Sequence, residues 1–283
     1  MPLSRPAPAK INLGLHVLRK RDDGYHDVET VYHRIGWTDE VSVEAADDLS
    51  MTCSDPDLPT GDKNLCLQAA RRLRAAFDVD RGAAIHLEKT LPVGAGLGGG
   101  SSDAAATLHL LAELWDVDAG ADRLRDLAAD IGSDVPFFLW DEAAAYATGR
   151  GEKLEEIRTA DGTPFRLDTT VVLVVPPVAM ATPEAYAMVT PDDVNRADLR
   201  AVVASGDLGR WRSELVNDFS EPVADQHPSV DAARDLLHQH GADYVSLAGS
   251  GSTVYGLFTS VPQADAAAQV APREGYRTWL GTA

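Results

Sequence analysis

Hydrophobic and polar residues alternate through Lys10–Leu18, placing Ile11, Leu13, Leu15 and Val17 on one side of an extended chain. That period of two predicts a strand. Val41–Ala45, Ala83–Lys89, Thr170–Val175, Tyr244–Leu247, Thr253–Phe258 and a last stretch near Arg277–Leu280 read as further strands. Apolar residues at helical spacing predict helices over Leu65–Phe77, Ser101–Trp115 and Ala121–Ile131. In the second half they predict Pro183–Val189, Gly209–Phe219, Val230–His240 and Gln263–Val270. Strands and helices mix without a strict βαβ rhythm, which predicts an α+β fold. The polar stretch Thr159–Pro164, broken by Gly162 and Pro164, is the best boundary candidate and divides the chain into 1–160 and 161–283.

The pattern breaks most sharply at Leu91–Asp103, where Gly94, Gly96, Gly98, Gly99 and Gly100 fall within seven residues. Glycine has no Cβ, so such a run takes left-handed conformations and lets several backbone N–H groups converge on one anion. The next segment places Ala104, Leu108, Leu111 and Trp115 on one helical face, so a helix start opens directly from the loop. Its unpaired N–H donors and positive dipole end complete a phosphate cradle. A Walker loop is excluded, because no lysine follows Gly100. Gly94-x-Gly96-x-x-Gly99 also fits a dinucleotide fingerprint, but Pro92 interrupts the strand that should run into it. Protein-kinase signatures are absent.

Composition narrows the partners. A chain of 283 residues with 45% hydrophobic and 24% charged residues builds an ordinary core. A net charge of −19 repels nucleic acids and acidic membranes and argues against both as partners. The basic residues include only five lysines (Lys10, Lys20, Lys63, Lys89 and Lys153), a balance that suits a salty cytoplasm. No stretch approaches the roughly 20 apolar residues that span a bilayer, and residues 1–10 lack the apolar centre of a signal peptide. Cys53 and Cys66 have no companions at zinc spacing and read as reduced thiols. A cytoplasmic protein is expected.

Five motifs occur in order: Pro8-Ala9-Lys10-Ile11-Asn12-Leu13, Asp23-Gly24-Tyr25-His26, the glycine loop, Gly132-Ser133-Asp134-Val135-Pro136 and Ala248-Gly249-Ser250-Gly251-Ser252. Together they resemble the galactokinase–homoserine kinase–mevalonate kinase (GHMP) superfamily of small-molecule kinases. The first two motifs resemble a branch whose alcohol substrate carries a cytidine diphosphate group, in the non-mevalonate route to isoprenoids. The resemblance implies an N-terminal ribosomal-S5-like ATP-binding domain and a C-terminal ferredoxin-like domain, with ATP and Mg²⁺ as cofactors. Other alcohol kinases of the superfamily, and a non-catalytic nucleotide-binding protein, are the competing readings.

The resemblance also assigns residues. Lys10 and Asp134 fall on the catalytic positions, where a carboxylate takes the alcohol proton and an ammonium orients the reacting groups. Local sequence alone favours a helix cap at Asp134 and a solvated strand end at Lys10, and the resemblance reverses that reading. Pro92, Val93, Gly94, Ala95, Gly96, Leu97, Gly98, Gly99, Gly100, Ser101 and Ser102 would wrap the ATP phosphates, with Asn64 and Lys89 near the adenine and ribose. Tyr25 and His26 would hold the cytosine, closed on its other side by Tyr186 of Thr182-Pro183-Glu184-Ala185-Tyr186. Tyr186 reads equally as a helix-face aromatic packing inward. Asn12 and Tyr32 match substrate positions, and Thr182 is expected to cap its helix and to touch substrate. Asp103 reads as a carboxylate favoured by the helix dipole, and Ala95 requires a negative φ.

Overall fold

The computed structural model describes residues 2–283. Packing divides them into two compact units. The first comprises residues 2–9, Thr38–Leu91 and Gly98–Asp141; the second comprises Lys10–Trp37, Pro92–Leu97 and Glu142–Ala283. The chain begins with two long strands, β1 (Leu3–Lys20) and β2 (His26–Ala46). Then come β3 (Leu49–Cys53), α1 (Leu65–Ala76), β4 (Gly82–Glu88), α2 (Gly99–Leu114), α3 (Ala121–Ile131) and the single turn α4 (Val135–Phe138).

In the first unit β4 runs antiparallel to the end of β2, with Val41 opposite Leu87 and Val43 opposite Ile85, and parallel to β3. Helix α2 packs against α1, α3 and α4. The predicted stripe Ala104, Leu108, Leu111 and Trp115 is fully buried, and Ala105 and Ala106 beside it are buried too. Each such leucine contributes about 1.5–3 kcal/mol on burial. The start of α2 is thereby held on a rigid base.

The second unit continues with β5 (Ala144–Thr148), β6 (Lys153–Glu155), β7 (Thr170–Val175), α5 (Thr182–Met188), α6 (Leu199–Ala204), α7 (Leu208–Glu214) and α8 (Ser220–Gln226). It closes with α9 (Pro228–Gln239), β8 (Tyr244–Leu247), β9 (Val254–Phe258), α10 (Val261–Val270) and β10 (Arg277–Thr282). Here the first half of β2 pairs β5, which pairs β6. A second sheet has the order β10-β7-β9-β8, antiparallel throughout. Val172 and Val174 of β7 join Phe219, Val223, Leu236 and Leu237 in its core.

The strands at 170–175 and 244–247 and the helix at 121–131 match the expectation residue for residue. The helix expected over Gly209–Phe219 does not form as one piece; α7 ends at Glu214. Beyond it, Val216 O accepts from Leu15 N at 2.9 Å and Asp218 N donates to Leu15 O at 2.9 Å. Residues 216–218 therefore satisfy their backbone against β1, and tertiary pairing overrides the helical pattern. β5 was not expected, because its Ala-rich sequence carries no strand signal; its pairing with Thr30–His33 on one side and β6 on the other makes it one.

His33 is wholly buried in the second unit. Its Nε2 accepts from Leu167 N at 3.1 Å, which leaves Nδ1 to donate to Arg34 O at 2.6 Å. Burial, aided by the Arg34 and Arg166 charges, lowers its pKa to about 4, although the bond to Arg34 O opposes this. The unfolded chain binds this proton near pH 6.5 and the folded one only near 4, so stability is lost as pH falls through that window. The loss is about 3 kcal/mol at full extent. Urea unfolding from pH 7.5 to 4 should show the midpoint falling below pH 6.5. His33→Gln should remove most of that slope; an unchanged slope would show that His33 is not its source.

Candidate active site

Lys10 is not a solvated strand end. On β1, Lys10, Asn12 and His16 form a second face opposite Ile11, Leu13, Leu15 and Val17, and both faces are buried. The Lys10 ammonium donates to Asn12 Oδ1 at 2.8 Å and to Gly96 O at 2.8 Å, and it lies 5.6 Å from the Tyr32 ring centre. Asn12 Nδ2 donates in turn to Thr30 Oγ1 at 2.9 Å, and that hydroxyl donates to Gly14 O at 2.6 Å. A buried ammonium needs such partners. The predicted residues Lys10, Asn12, Tyr32 and Gly96 thus meet around one charge.

The glycine loop has a simple internal logic. Gly94, Gly96 and Gly98 have φ of 68°, 79° and 71°, whereas Ala95 and Leu97 between them are buried side chains. Ala95 avoids positive φ, as required. In the second unit the loop lies against the hairpin joining β8 to β9. Thr253 N donates to Ala95 O at 3.2 Å, and a Cβ on Gly96 would sit 1.9 Å from Ala248 O. The hairpin motif is therefore a turn and a support for the loop at once.

In the first unit Gly98, in the left-handed conformation, occupies the N-cap position of α2 without any side-chain cap. The first helical bond is Ser102 N to Gly98 O at 3.0 Å. The N–H groups of Gly99, Gly100 and Ser101 precede it, as a phosphate cradle needs. The turn Gly132–Asp134 adjoins this start: a Cβ on Gly132 would lie 3.9 Å from Ser101 Oγ. Asp134 does stand at the N-cap position of α4, with proline in the first turn, but its carboxylate makes no capping bond.

Gly24, at φ 87°, turns the chain so that Arg21 N bonds Tyr25 O at 2.8 Å. Tyr25 is 52% exposed, with the Arg150 guanidinium 4.9 Å from its ring centre. His26 stacks on Tyr186 at 4.5 Å and 17°, and Tyr186 sets its edge against Phe219 at 4.9 Å. Tyr186 therefore packs inward, with His26 stacked on one of its faces, so the place expected for a cytosine between them is taken by their own contact. Burial lowers the His26 pKa, with help from Lys20, which favours the neutral ring. Thr182 is the first residue of α5 rather than its cap, which is Ala181, so the expected capping role is corrected.

Asn64 caps α1, accepting from Cys66 N at 2.9 Å. Lys89 is engaged more deeply than a strand-end charge. Its ammonium bonds Asp39 Oδ2 at 2.5 Å and Asp103 Oδ2 at 2.9 Å, with all three side chains buried. Burial alone would lower the Lys89 pKa, but Asp103 and then Asp39 hold it above the usual lysine value. Burial also raises Asp103, against the pull of Lys89. Asp39, Thr30 and Arg150 escaped the sequence reading. Asp39 carried a signal, since it shares the parity of Val41 and Val43 and so points to the buried face.

Two family models match the chain: the GHMP kinases N terminal domain over residues 64–142 and the GHMP kinases C terminal domain over 198–277. The 4-diphosphocytidyl-2-C-methyl-D-erythritol kinase of Salinibacter ruber is 57% identical over 99% of this chain and 98% of its own. The enzyme of that name from Chlorobium phaeobacteroides is 45% identical over 94% and 93%. This chain belongs to the GHMP kinases. A crystal structure of a 4-(cytidine 5'-diphospho)-2C-methyl-D-erythritol kinase matches with a TM-score of 0.79 at 33% identity, covering 99% of this chain and 98% of the other. A homoserine kinase from Cytophaga hutchinsonii, at 17% identity and a TM-score of 0.73, shares the fold. The GHMP kinase fold, in its N- and C-terminal parts, accounts for the α+β architecture.

Among the described residues of this GHMP kinase, no helix is long and apolar enough to cross a membrane. Gly96 is the loop's most constrained point, having both a positive φ and Ala248 O in the way of any Cβ; Gly94 has only the positive φ, with Ala179 Cβ at 3.7 Å. Gly94→Ala should cost about 1 kcal/mol of stability, the left-handed penalty alone. Gly96→Ala should cost clearly more and weaken ATP binding in an isothermal titration. Equal effects of the two would contradict this packing of loop on hairpin.

Proposed function

We propose that this chain transfers the γ-phosphate of ATP to the 2-hydroxyl of 4-diphosphocytidyl-2-C-methyl-D-erythritol, a step in the non-mevalonate route to isoprenoids. Full-length similarity to kinases of that name supports the activity. The observation that carries the substrate is exposed Tyr25 next in sequence to His26. An exposed tyrosine ring with an imidazole next to it suits a pyrimidine, whereas a small alcohol without a base gives them nothing to stack on.

Residues 94–102 receive the phosphates: three left-handed glycines open the backbone, and the first-turn N–H groups of α2 supply donors without a charged side chain. Pro92 and Val93 lead in, and Ala95 and Leu97 anchor the loop from below while lending their backbone. Asn64 and the backbone of Lys89 flank the adenine and ribose. Among the described residues no group of three His, Cys, Asp or Glu is placed to hold a metal. That fits Mg²⁺ carried mainly by the triphosphate and water, where it would neutralise phosphate charge.

Asp134, in the turn that adjoins the start of α2, accepts the alcohol proton as the oxygen attacks. Lys10, fixed by Asn12 and Gly96 O, presents a positive charge to the reacting oxygens. Asn12, Tyr32 and Thr182 line the alcohol side. Residue 160 divides the N- and C-terminal parts in sequence; the family matches fall on either side of it.

Asp134→Asn should bind ATP normally and lose about 10²–10⁴ in kcat. Tyr25→Ala should leave kcat nearly intact and raise KM for the cytidine substrate by a stacking loss of about 1–3 kcal/mol. Steady-state kinetics check both. Undiminished turnover in Asp134→Asn would remove the general base, and an unchanged KM in Tyr25→Ala would remove the cytosine platform.

A further inference from the structure

The glycine loop leaves the first unit at Leu91 and re-enters it at Gly98, and one buried ion triplet stands at both points. Carrying the β2–β4 register one step past Glu40 and Glu88 sets Asp39 opposite Lys89. Asp39 Oδ1 accepts from Thr90 N at 2.6 Å and Leu91 N at 2.7 Å, which fixes the backbone where the loop departs. Its Oδ2 takes the Lys89 ammonium, which reaches on to Asp103 in the second turn of α2. A Cβ on Gly99 would lie 3.0 Å from Lys89 Nζ, so the ammonium sits directly beneath the helix start. The side chains of Lys89, Asp39 and Asp103 are 5%, 0% and 3% exposed, which leaves them no surface to offer a nucleotide.

We propose that Lys89, Asp39 and Asp103 are positioning residues: they pin the two ends of the phosphate loop to each other, and phosphate affinity depends on that pin although none of the three side chains touches ATP. The inference rests on the reading of residues 94–102 as the phosphate site. It assigns the Lys89 side chain to the loop's geometry and leaves only its backbone for the base. Without the Lys89 bridge the two ends lose their fixed spacing, so the N–H groups at the start of α2 converge less well before the ligand arrives.

The test is calorimetric titration of the full chain with ATP, with inorganic tripolyphosphate and with adenosine as a competitor. Lys89→Met should weaken ATP and tripolyphosphate by the same factor, about tenfold or more, and leave adenosine unchanged. Lys89→Arg, which keeps a bridging cation, should recover most of the loss. Lys89→Met strands two buried carboxylates and risks misfolding, so the double variant Lys89→Met/Asp103→Leu is measured as well. Replacing a buried ion pair by apolar groups is close to neutral for stability, and Asp39 keeps its two backbone donors. That variant should hold its melting temperature yet still bind tripolyphosphate more weakly. A folded double variant with wild-type tripolyphosphate affinity would overturn the proposal. So would weakened ATP and adenosine with tripolyphosphate unchanged, because that pattern means a direct contact to the base. Failure of the wild-type protein to bind tripolyphosphate at all would instead sink the phosphate-loop reading itself.

Discussion

Much of this molecule follows from one constraint: the ammonium of Lys10 is buried and must be satisfied. Its partners come from two directions, Asn12 two residues along the same strand and Gly96 O on the glycine loop. The backbone follows the side chain, with Lys10 N donating to Leu97 O at 3.0 Å. The loop is thereby tied to β1. Gly249 completes the fit, since any Cβ there would fall 2.9 Å from the Lys10 nitrogen and 2.8 Å from Gly96 O. A larger residue at 249 would compete with the charge for the same space. Three separate motifs of the sequence thus converge on a single nitrogen atom.

The same economy governs the support behind that nitrogen. Asn12 is fixed through its side chain by Thr30 and through its carbonyl by Tyr255, whose hydroxyl donates at 2.7 Å. Asn217 holds the hairpin from its far side, donating to Leu247 O and Gly249 O at 2.8 and 2.9 Å. These groups are buried and carry no net charge, so they fix geometry without competing for substrate or phosphate. Such a shell suits a phosphotransferase, whose work is positioning and charge stabilisation more than covalent chemistry.

How far the sequence alone reveals this depends on the kind of signal. The alternation in Lys10–Leu18 exposes the apolar face of β1 at once, and its other face, with Lys10, Asn12 and His16, looks like a solvent face. It is buried instead, and a polar strand face under cover is where a site is found. Asp39 and Lys89 were open to the same parity argument, each lying in line with buried valine, isoleucine and leucine positions of its strand. Their pairing needed the strand register, which no local pattern contains. The break between α7 and α8 was hidden for a related reason: residues 216–218 pair with Leu15, some 200 positions earlier, and local periodicity cannot register such a partner. The glycine loop was legible because its requirement is local: a positive φ is a property of one residue.

The most direct measurement is a mass-resolved assay of the purified chain with ATP, Mg²⁺ and 4-diphosphocytidyl-2-C-methyl-D-erythritol, with homoserine and mevalonate in parallel. We expect one phosphate to be added to the cytidine compound and none to the other two. Transfer to homoserine or mevalonate in its place would contradict the base-stacking account of Tyr25 and His26. Absence of transfer to any alcohol, from a chain shown to bind ATP, would contradict the kinase itself.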